Sequence, residues 1–202
     1  LTEQTTAQPR EAWHTQIAAW KKKHPLAYDP GSGAIKPQAV LQELCRQAPE
    51  DAIITTEVGQ NQMWTALWYT FRRPRTLVSS GGLGTMGFGF PAAIGAQLGC
   101  PGRLVVDVAG DGSIQMNIQE LATVAQYKLP VKVLILNNGF LGMVRQWQEL
   151  FYQRRYSQTT LNGNPDFVKL AEAYGVKGMR VTAPSEVPDA LREMIRTEGP
   201  VF

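Results

Sequence analysis

The sequence is poor in the residues from which metal centres and disulfide frameworks are usually built. Its 202 residues include two cysteines and two histidines. Cys45 and Cys100 lack metal-ligand spacing, so we expect reduced thiols in a cytoplasmic protein rather than a disulfide framework. His14 and His24 have no partner at a useful spacing, and we expect both side chains on the surface. These shortages argue against a zinc site and against a small disulfide-stabilised domain.

Charge of one sign, long apolar runs and a secretory leader are also lacking. Lys and Arg total 20 against 17 for Asp and Glu, a formal net charge of +3, which argues against a nucleic-acid binder that relies on a basic face. The apolar runs fall far short of the about 20 residues that cross a bilayer, and the N terminus does not resemble a signal peptide. We therefore expect a globular domain with neither a nucleic-acid nor a membrane partner.

Strands and helices alternate along most of the chain. After a helix at 10–24 and a linker at 25–35, the pattern predicts strands at 52–56, 76–78, 104–108, 131–136 and 175–181, and helices at 37–47, 91–98, 115–127 and 187–196. This alternation predicts an α/β fold: a doubly wound, mostly parallel sheet with helices on both faces. Ligands of such sheets bind beyond the carboxyl ends of the strands.

Glycines and oxygen-bearing side chains follow the predicted strands at those ends. Asp111 follows the third strand and Asn138 the fourth, and a right-handed crossover brings both strand ends to one edge of the sheet. Carboxylate and carboxamide oxygens suit Mg²⁺. Gly110 and Gly112 allow close backbone approach to an anion, and Ser113 begins a predicted helix, whose N terminus favours a diphosphate. The residues themselves therefore predict a Mg²⁺-diphosphate cofactor.

Four segments carry a resemblance to a known family. Gly110-Asp111-Gly112-Ser113 followed by Asn137-Asn138 resembles the thiamin diphosphate motif. The segments 57–64 (EVGQNQMW), 81–89 (GGLGTMGFG) and 141–147 (LGMVRQW) resemble acetohydroxyacid synthase, also called acetolactate synthase. The resemblance implies that residues 36–202 are the thiamin diphosphate-binding domain and that residues 1–35 are a leading helix and linker. Because the chain starts at Leu1 and its last residues resemble an opening strand, we expect a fragment of a three-domain subunit.

The resemblance also assigns roles to individual residues. It implies that Asp111, Asn138 and the Phe140 carbonyl hold Mg²⁺, that the Gly84 carbonyl and Met86 act on the cofactor rings as catalytic residues, and that Met143 and Trp147 face the substrate. The implied cofactor contacts, listed in chain order, are Val58, Gly59, Gln60, Asn61, Gly84, Met86, Gly110, Asp111, Gly112, Ser113, Asn138, Phe140, Leu141, Gly142 and Met143.

The implied reaction joins two 2-oxo acids. Pyruvate loses CO₂ on the cofactor, and the remaining unit adds to a second 2-oxo acid, pyruvate or 2-oxobutyrate, in branched-chain amino acid biosynthesis. The family further implies a homodimer or larger oligomer, and it allows a small regulatory subunit and FAD in the full-length subunit. The activating glutamate of the family belongs to an N-terminal domain, so we expect this chain alone to be catalytically silent.

Asn61 departs from the family, which usually has histidine at this position. An asparagine can hydrogen-bond a phosphate, but it cannot carry charge or relay a proton at neutral pH. We therefore expect asparagine at this position to change the affinity for phosphate, whereas the assignment to the family depends on it less.

Three alternatives compete with this interpretation. Residues 82–87 also fit the dinucleotide fingerprint, with Asp107 about 20 residues on, which would indicate an NAD-dependent oxidoreductase. A second alternative is a domain that only binds the cofactor or only assembles a dimer. The third is another thiamin diphosphate enzyme of 2-oxo acids, namely pyruvate oxidase, glyoxylate carboligase or a decarboxylase.

Overall fold

The computed structural model describes residues 9–31 and 33–202, and the chain divides into two compact units between them. The first unit contains helix α1 (Glu11–Lys23), as predicted. Its last turn carries Lys21, Lys22 and Lys23, which favour the negative end of the helix dipole. The rings of Trp13 and Trp20 meet edge to face with centroids 5.5 Å apart.

The second unit, residues 33–202, is an α/β domain. Its sheet consists of β1 (Ile53–Thr56), β2 (Leu77–Ser79), β3 (Val105–Gly110) and β4 (Lys132–Leu136). Its helices are α2 (Pro37–Gln47), α3 (Gln60–Trp68), α4 (Gly89–Gly99), α5 (Leu121–Tyr127), α6 (Gly142–Phe151), α7 (Phe167–Ala173) and α8 (Val187–Arg196). Three 3₁₀ turns, Ile114–Met116, Ile118–Glu120 and Pro184–Glu186, complete the described elements.

All four described strands run parallel, in the order β2-β1-β3-β4. In the central pair, Ile53 is opposite Val105 and Thr56 is opposite Val108. The chain leaves β1 toward β2 on one side, then returns over β1 to form β3 on the other. The predicted doubly wound parallel sheet is confirmed.

Successive strand residues point to opposite sides of the sheet, and helices cover the side chains on both faces. Ile53 and Val105 face a core formed with α4, α5 and α7, whereas Ile54 and Val106 face one formed with α2 and α8. The apolar stripe predicted for α2 is buried there, with Leu44 fully covered. Burial of a leucine side chain contributes about 1.5–3 kcal/mol, so this stripe fixes α2 on the sheet.

The helix predicted at 115–127 is wrong in its first half. Two 3₁₀ turns precede α5, and Asn117, with φ −135° and ψ 31°, separates them. The Asn117 side chain donates to the Gly87 carbonyl oxygen at 2.7 Å. Asparagine competes with helical backbone in this way, so a long-range contact breaks the helix. Ser113 therefore precedes a three-residue turn rather than a long helix.

Two other boundaries differ from prediction. α4 begins at Gly89 rather than at Pro91. The strand predicted at 175–181 is reduced to an isolated parallel bridge between Lys177 and Val201. Val201 also bridges Lys132 at the start of β4, so this ladder involves too few residues to extend into a strand.

Among residues 9–31 and 33–202, none of the helices combines the length and apolarity that a membrane crossing requires.

A buried lysine links β4 to the end of α8. The Lys132 residue is 2% exposed, and its Nζ donates to the carbonyl oxygens of Thr197, at 2.5 Å, and of Gly199. Burial, together with the charge of Lys177, lowers the pKa of Lys132 to about 8. The ammonium thus supplies donors to two carbonyl oxygens in the segment that follows α8.

Lys132→Met is expected to lower the free energy of unfolding at pH 7 by about 1–3 kcal/mol, because partly buried carbonyls lose their donor. Between pH 8 and 10 the unfolded chain retains a proton that folded Lys132 has released. The stability of the native chain should therefore rise with pH over this interval relative to the variant. Urea unfolding across that range measures both effects. Lys169→Met, at an exposed position, is the control, and equal losses in the two variants would contradict the role of Lys132.

Candidate cofactor site

The candidate site lies at the carboxyl ends of β1 and β3, where the direction of winding reverses. Open α/β sheets bind ligands at such a switch point, because the two connections leave in opposite directions and open a crevice. After β1 the chain continues through Gly59 and Gln60 into α3, and after β3 it continues through 111–113. Two of the predicted binding segments therefore flank one crevice.

Asn61 ties the two strand ends together beneath this crevice. Its Nδ2 donates to the carbonyl oxygens of Glu57, at 3.0 Å, and of Val108, at 2.8 Å. Its Oδ1 points toward Gly59 and Gly110, where added Cβ atoms would lie 2.8 and 3.1 Å away. Gly59, with φ +152°, also has a backbone conformation that side chains disfavour. The crevice floor thus requires its glycines.

The orientation of Asn61 bears on phosphate binding. Carbonyl oxygens accept hydrogen bonds only from Nδ2, so Oδ1 is the atom that faces the glycines. An amide oxygen accepts and does not donate, so in this arrangement the side chain offers no hydrogen-bond donor to a phosphate oxygen. The expected hydrogen bond from Asn61 to phosphate would require the side chain to leave the strand carbonyls.

Asp111 and Asn138, which come from different strand ends, meet in the structure. The Asp111 side chain accepts from the backbone amides of Asn138 and Gly139, at 3.4 and 3.0 Å, and from Nδ2 of Asn164 at 2.6 Å. Asp111 is 1% exposed. An ionised carboxylate has about four acceptor positions, so these three donors orient the group and leave it capacity for a cation.

The donor set around Asp111 consists of oxygens. The Asn138 Oδ1 accepts from the Phe140 amide at 3.0 Å, in a tight turn that brings the Phe140 carbonyl into the same segment. Among the described residues no group of three or more His, Cys, Asp or Glu could hold a metal. A carboxylate, a carboxamide and a backbone carbonyl fit Mg²⁺, which takes its further ligands from water and phosphates. Asp111, Asn138 and Phe140, the residues that carry the three predicted metal ligands, are therefore neighbours at one corner of the crevice, joined through the backbone amides of Asn138 and Phe140.

The glycine loop before α4 faces the turn that contains Asp111. The Met86 Cε lies 3.9 Å from the position that a Cβ on Gly112 would occupy. Leu141 Cδ2 lies 2.7 Å from that same position. Gly84, with φ +65°, approaches the Val58 side chain, whose Cγ1 is 4.0 Å from its Cβ position. Met86, Leu141 and Val58 thus give this part of the crevice an apolar lining.

Gln60 spans the crevice from α3 to α6. Its Nε2 donates to Oε1 of Gln146 at 3.0 Å, and its Oε1 accepts from Nδ2 of Asn138 at 3.4 Å. A Cβ on Gly142 would lie 2.1 Å from Gln60 Oε1, so the first residue of α6 is also at the site.

Trp147 lies farther along α6, one turn after Met143. It is 59% exposed, and its ring packs against Phe151 with centroids 6.4 Å apart. The structure thus brings the start of α6 to the crevice, whereas Trp147 lies on an exposed face.

Several polar residues at the site were missed from the sequence. Asn164 bonds Asp111, Gln115 bonds both the Asp111 carbonyl and Asn164, and Gln146 bonds Gln60. Asn164 and Gln115 belong to no recognisable motif, and Gln146 lies in the segment 141–147 that carries the resemblance but was assigned no role there. The hydroxyl of Ser113, a predicted cofactor contact, donates to the Gly110 carbonyl oxygen at 3.3 Å.

The dinucleotide alternative does not agree with the structure. The acidic residue of that fingerprint must reach a ribose hydroxyl at a strand end. Asp107 is instead fully buried within β3, where it accepts from Oγ1 of Thr55 at 2.9 Å.

Comparison with known proteins supports the cofactor interpretation. The family described as "Thiamine pyrophosphate enzyme, C-terminal TPP binding domain" matches residues 57–202; thiamine pyrophosphate is another name for thiamin diphosphate. The chain is 50% identical, over 99% of its length, to the mitochondrial acetolactate synthase catalytic subunit of Aspergillus candidus. It is 50% identical over 96% of its length to the Escherichia coli acetolactate synthase isozyme 3 large subunit, and 57% identical over 89% to the Parasynechococcus marenigrum large subunit. It covers 30%, 34% and 29% of these relatives, about a third of their length.

Asn138→Ala is expected to weaken Mg²⁺-dependent binding of thiamin diphosphate by about tenfold or more, because an oxygen ligand is lost. Isothermal titration calorimetry with and without Mg²⁺ measures the change. Asn137→Ala, at the exposed neighbouring position, is the matched control and should bind like the native chain. Equal affinities for the two variants would contradict a metal-binding role for Asn138.

Asn61→His and Asn61→Asp are expected to change affinity in opposite directions. An imidazole can donate to a phosphate, and more strongly below its pKa of about 6.5, whereas a carboxylate repels it. Binding of thiamin diphosphate at pH 6 and pH 8, with thermal unfolding as a check on the fold, tests this pair. Unchanged affinity in both folded variants would mean that position 61 does not contact the diphosphate.

Proposed function

The chain belongs to the thiamine pyrophosphate enzymes, and from that premise we propose that it is the cofactor-binding part of an acetolactate synthase catalytic subunit. In this proposal residues 36–202 bind the cofactor, and residues 1–35 form a leading helix and linker. The activity belongs to a longer polypeptide, since the relatives are about three times the length of this chain.

The observation that carries the proposal is the meeting of Asp111 and Asn138 at the end of the crevice that the glycines line. Asp111, Asn138 and the Phe140 carbonyl would hold Mg²⁺, as their oxygen chemistry and shared corner support. The backbone at Gly59 and Gly110 would approach the diphosphate without a Cβ in the way. Ser113, whose hydroxyl is close to the Gly110 carbonyl, lies at the same turn.

When bound, thiamin diphosphate supplies the electron sink that lets a 2-oxo acid lose CO₂ and transfer its remaining two-carbon unit. The residues of this chain would orient the cofactor and shield its ring portion from water. Met86 and the Gly84 carbonyl would fix the ring portion of the cofactor, and the apolar wall of Met86 and Leu141 would limit water there. Met143, at the start of α6, would border the reacting keto acid.

The proposed substrates are pyruvate and, as second acceptor, pyruvate or 2-oxobutyrate, giving a 2-acetyl-2-hydroxy acid for branched-chain amino acid biosynthesis. Trp147, one turn beyond Met143 and exposed, is the proposed contact for the second substrate. The relatives named large subunits support a small regulatory partner, and we propose a homodimer or larger assembly. We assign FAD no residues in this chain, and the free thiols of Cys45 and Cys100 suit the proposed cytoplasmic location.

Two measurements test the proposal. Thiamin diphosphate with Mg²⁺ should bind the 202-residue chain in calorimetry, and NAD should not; preferential NAD binding would overturn it. The full-length polypeptide that contains this chain should release CO₂ from pyruvate and form acetolactate. Acetaldehyde or acetyl phosphate as sole product would assign it to another enzyme of the family, and absence of CO₂ release would favour a binding role.

A further inference from the structure

Two buried carboxyl groups lie beneath the start of α4, and neither takes part in the proposed metal site. Glu57 directly follows β1, and Asp107 lies in β3 opposite Thr55. Both residues are fully buried. Buried carboxylates are costly unless they are paired with donors or neutralised, so each of these groups requires a physical account.

Glu57 holds the junction between the glycine loop and α4. Its Oε2 accepts from the Gly87 amide at 2.6 Å, and its Oε1 accepts from the Phe90 amide at 3.0 Å. The first-turn amides of a helix lack intrahelical partners and favour a negative charge. The Asn117 side chain binds the Gly87 carbonyl from the other side. The loop that carries Gly84 and Met86 is therefore attached to α4 through this carboxylate.

Asp107 is placed differently. Its Oδ1 accepts from Thr55 Oγ1 at 2.9 Å, and its Oδ2 has no hydrogen-bond partner among the described residues. A Cβ on Gly89 would lie only 2.4 Å from Asp107 Oδ1, which shows how closely α4 sits on this side chain. An ionised carboxylate with one hydroxyl donor and one unpartnered oxygen is poorly stabilised in such a place.

The elements that pack on α4 provide no positive charge to either group, and Lys132 of β4, the strand paired with β3, donates instead to the carbonyl oxygens of Thr197 and Gly199. The sequences of α3, α4, β2 and residues 80–88 contain no ionisable side chain. Among the elements that pack on α4, the 3₁₀ turn Ile118–Glu120 adds only Glu120, which accepts from Thr123 at 2.9 Å. Burial and the neighbouring Glu57 raise the pKa of Asp107 well above its usual range. Burial also raises the pKa of Glu57, but amides of Phe90, Gly87 and Gly89 oppose that effect.

We propose that Glu57 is a positioning residue whose single negative charge holds the Gly84–Phe90 loop against the cofactor crevice, and that Asp107 supports it by staying protonated. The significance of the loop rests on the proposed function, since Gly84 and Met86 lie on it. The contacts themselves join residues of this chain alone, so they can be tested without any ligand.

The test is amide hydrogen exchange of the cofactor-free 202-residue chain, followed from pH 5 to pH 9 as protection relative to intrinsic rates. In the native chain the Gly87 and Phe90 amides should be most protected at intermediate pH. Protection should fall at low pH as Glu57 takes up a proton, and at high pH as Asp107 ionises beside Glu57. Asp107→Asn should remove the loss at high pH and leave the loss at low pH.

Glu57→Gln should reduce protection of the Gly87 and Phe90 amides at least tenfold and abolish its pH dependence, while the β3 amides stay as in the native chain. Protection within twofold of native in Glu57→Gln, or identical pH profiles in the native chain and Asp107→Asn, would overturn the proposal. Should Glu57→Gln fail to fold, the Asp107→Asn profile decides alone. Failure of the chain to bind thiamin diphosphate would contradict the proposed function. The exchange measurement needs no ligand, so its result would still decide the role of Glu57.

Discussion

The parallel pairing of β1 with β3 is the constraint on which the rest of the structure depends. Because of this pairing, the carboxyl ends of two strands that are distant in sequence lie side by side. The direction of winding reverses between these two strands. Asn61 reinforces the pairing by donating to the carbonyl oxygens of Glu57, directly after β1, and of Val108 in β3. The crevice, its glycine floor and the buried carboxyl pair all lie at this junction, so a shift of one residue in register would dismantle each of them.

The two faces of the sheet are used differently near this junction. On the α2 and α8 side the strands contribute the apolar residues Ile54, Val106 and Val108, together with the buried polar residues Thr56 and Lys132. On the α4 side three polar side chains are buried: Thr55 within β1, Glu57 directly after it and Asp107 within β3. Both buried carboxyl groups on this side, Glu57 and Asp107, lie below the loop that faces the crevice. The hydrogen bonds of Glu57 give the loop one defined position, whereas apolar contacts tolerate sliding, so this side is suited to hold a loop in place.

Much of the fold could be read from the sequence because local signals and the global pattern agree. Pro37 at the first turn and the stripe of Leu41 and Leu44 predicted α2 within its observed bounds. The same reasoning failed at Asn117, where a bond to a loop thirty residues away overrides helix propensity. It also missed the role of Lys132, a charged residue inside an otherwise apolar strand. The carbonyl oxygens that accept its hydrogen bonds come from the far end of the domain.

For the site, adjacency of strand ends predicted that Asp111 and Asn138 would meet, since parallel topology alone requires it. The contribution of Asn164 could not be predicted, because no periodicity or motif connects it with Asp111. The orientation of Asn61 was equally hidden, as it depends on which carbonyls the fold leaves unpaired.

Gly89 shows how little freedom the helix above the carboxyl pair has. The space for a methyl group there is already occupied by Asp107 Oδ1, the Glu57 amide nitrogen and the Thr56 carbonyl carbon, at 2.4–2.5 Å. Two of those three atoms are backbone, so no rotamer change can make room. A library randomised at this codon and selected for folded protein would return glycine alone. The short distance between α4 and the sheet therefore depends on residue 89 having only a hydrogen atom as its side chain.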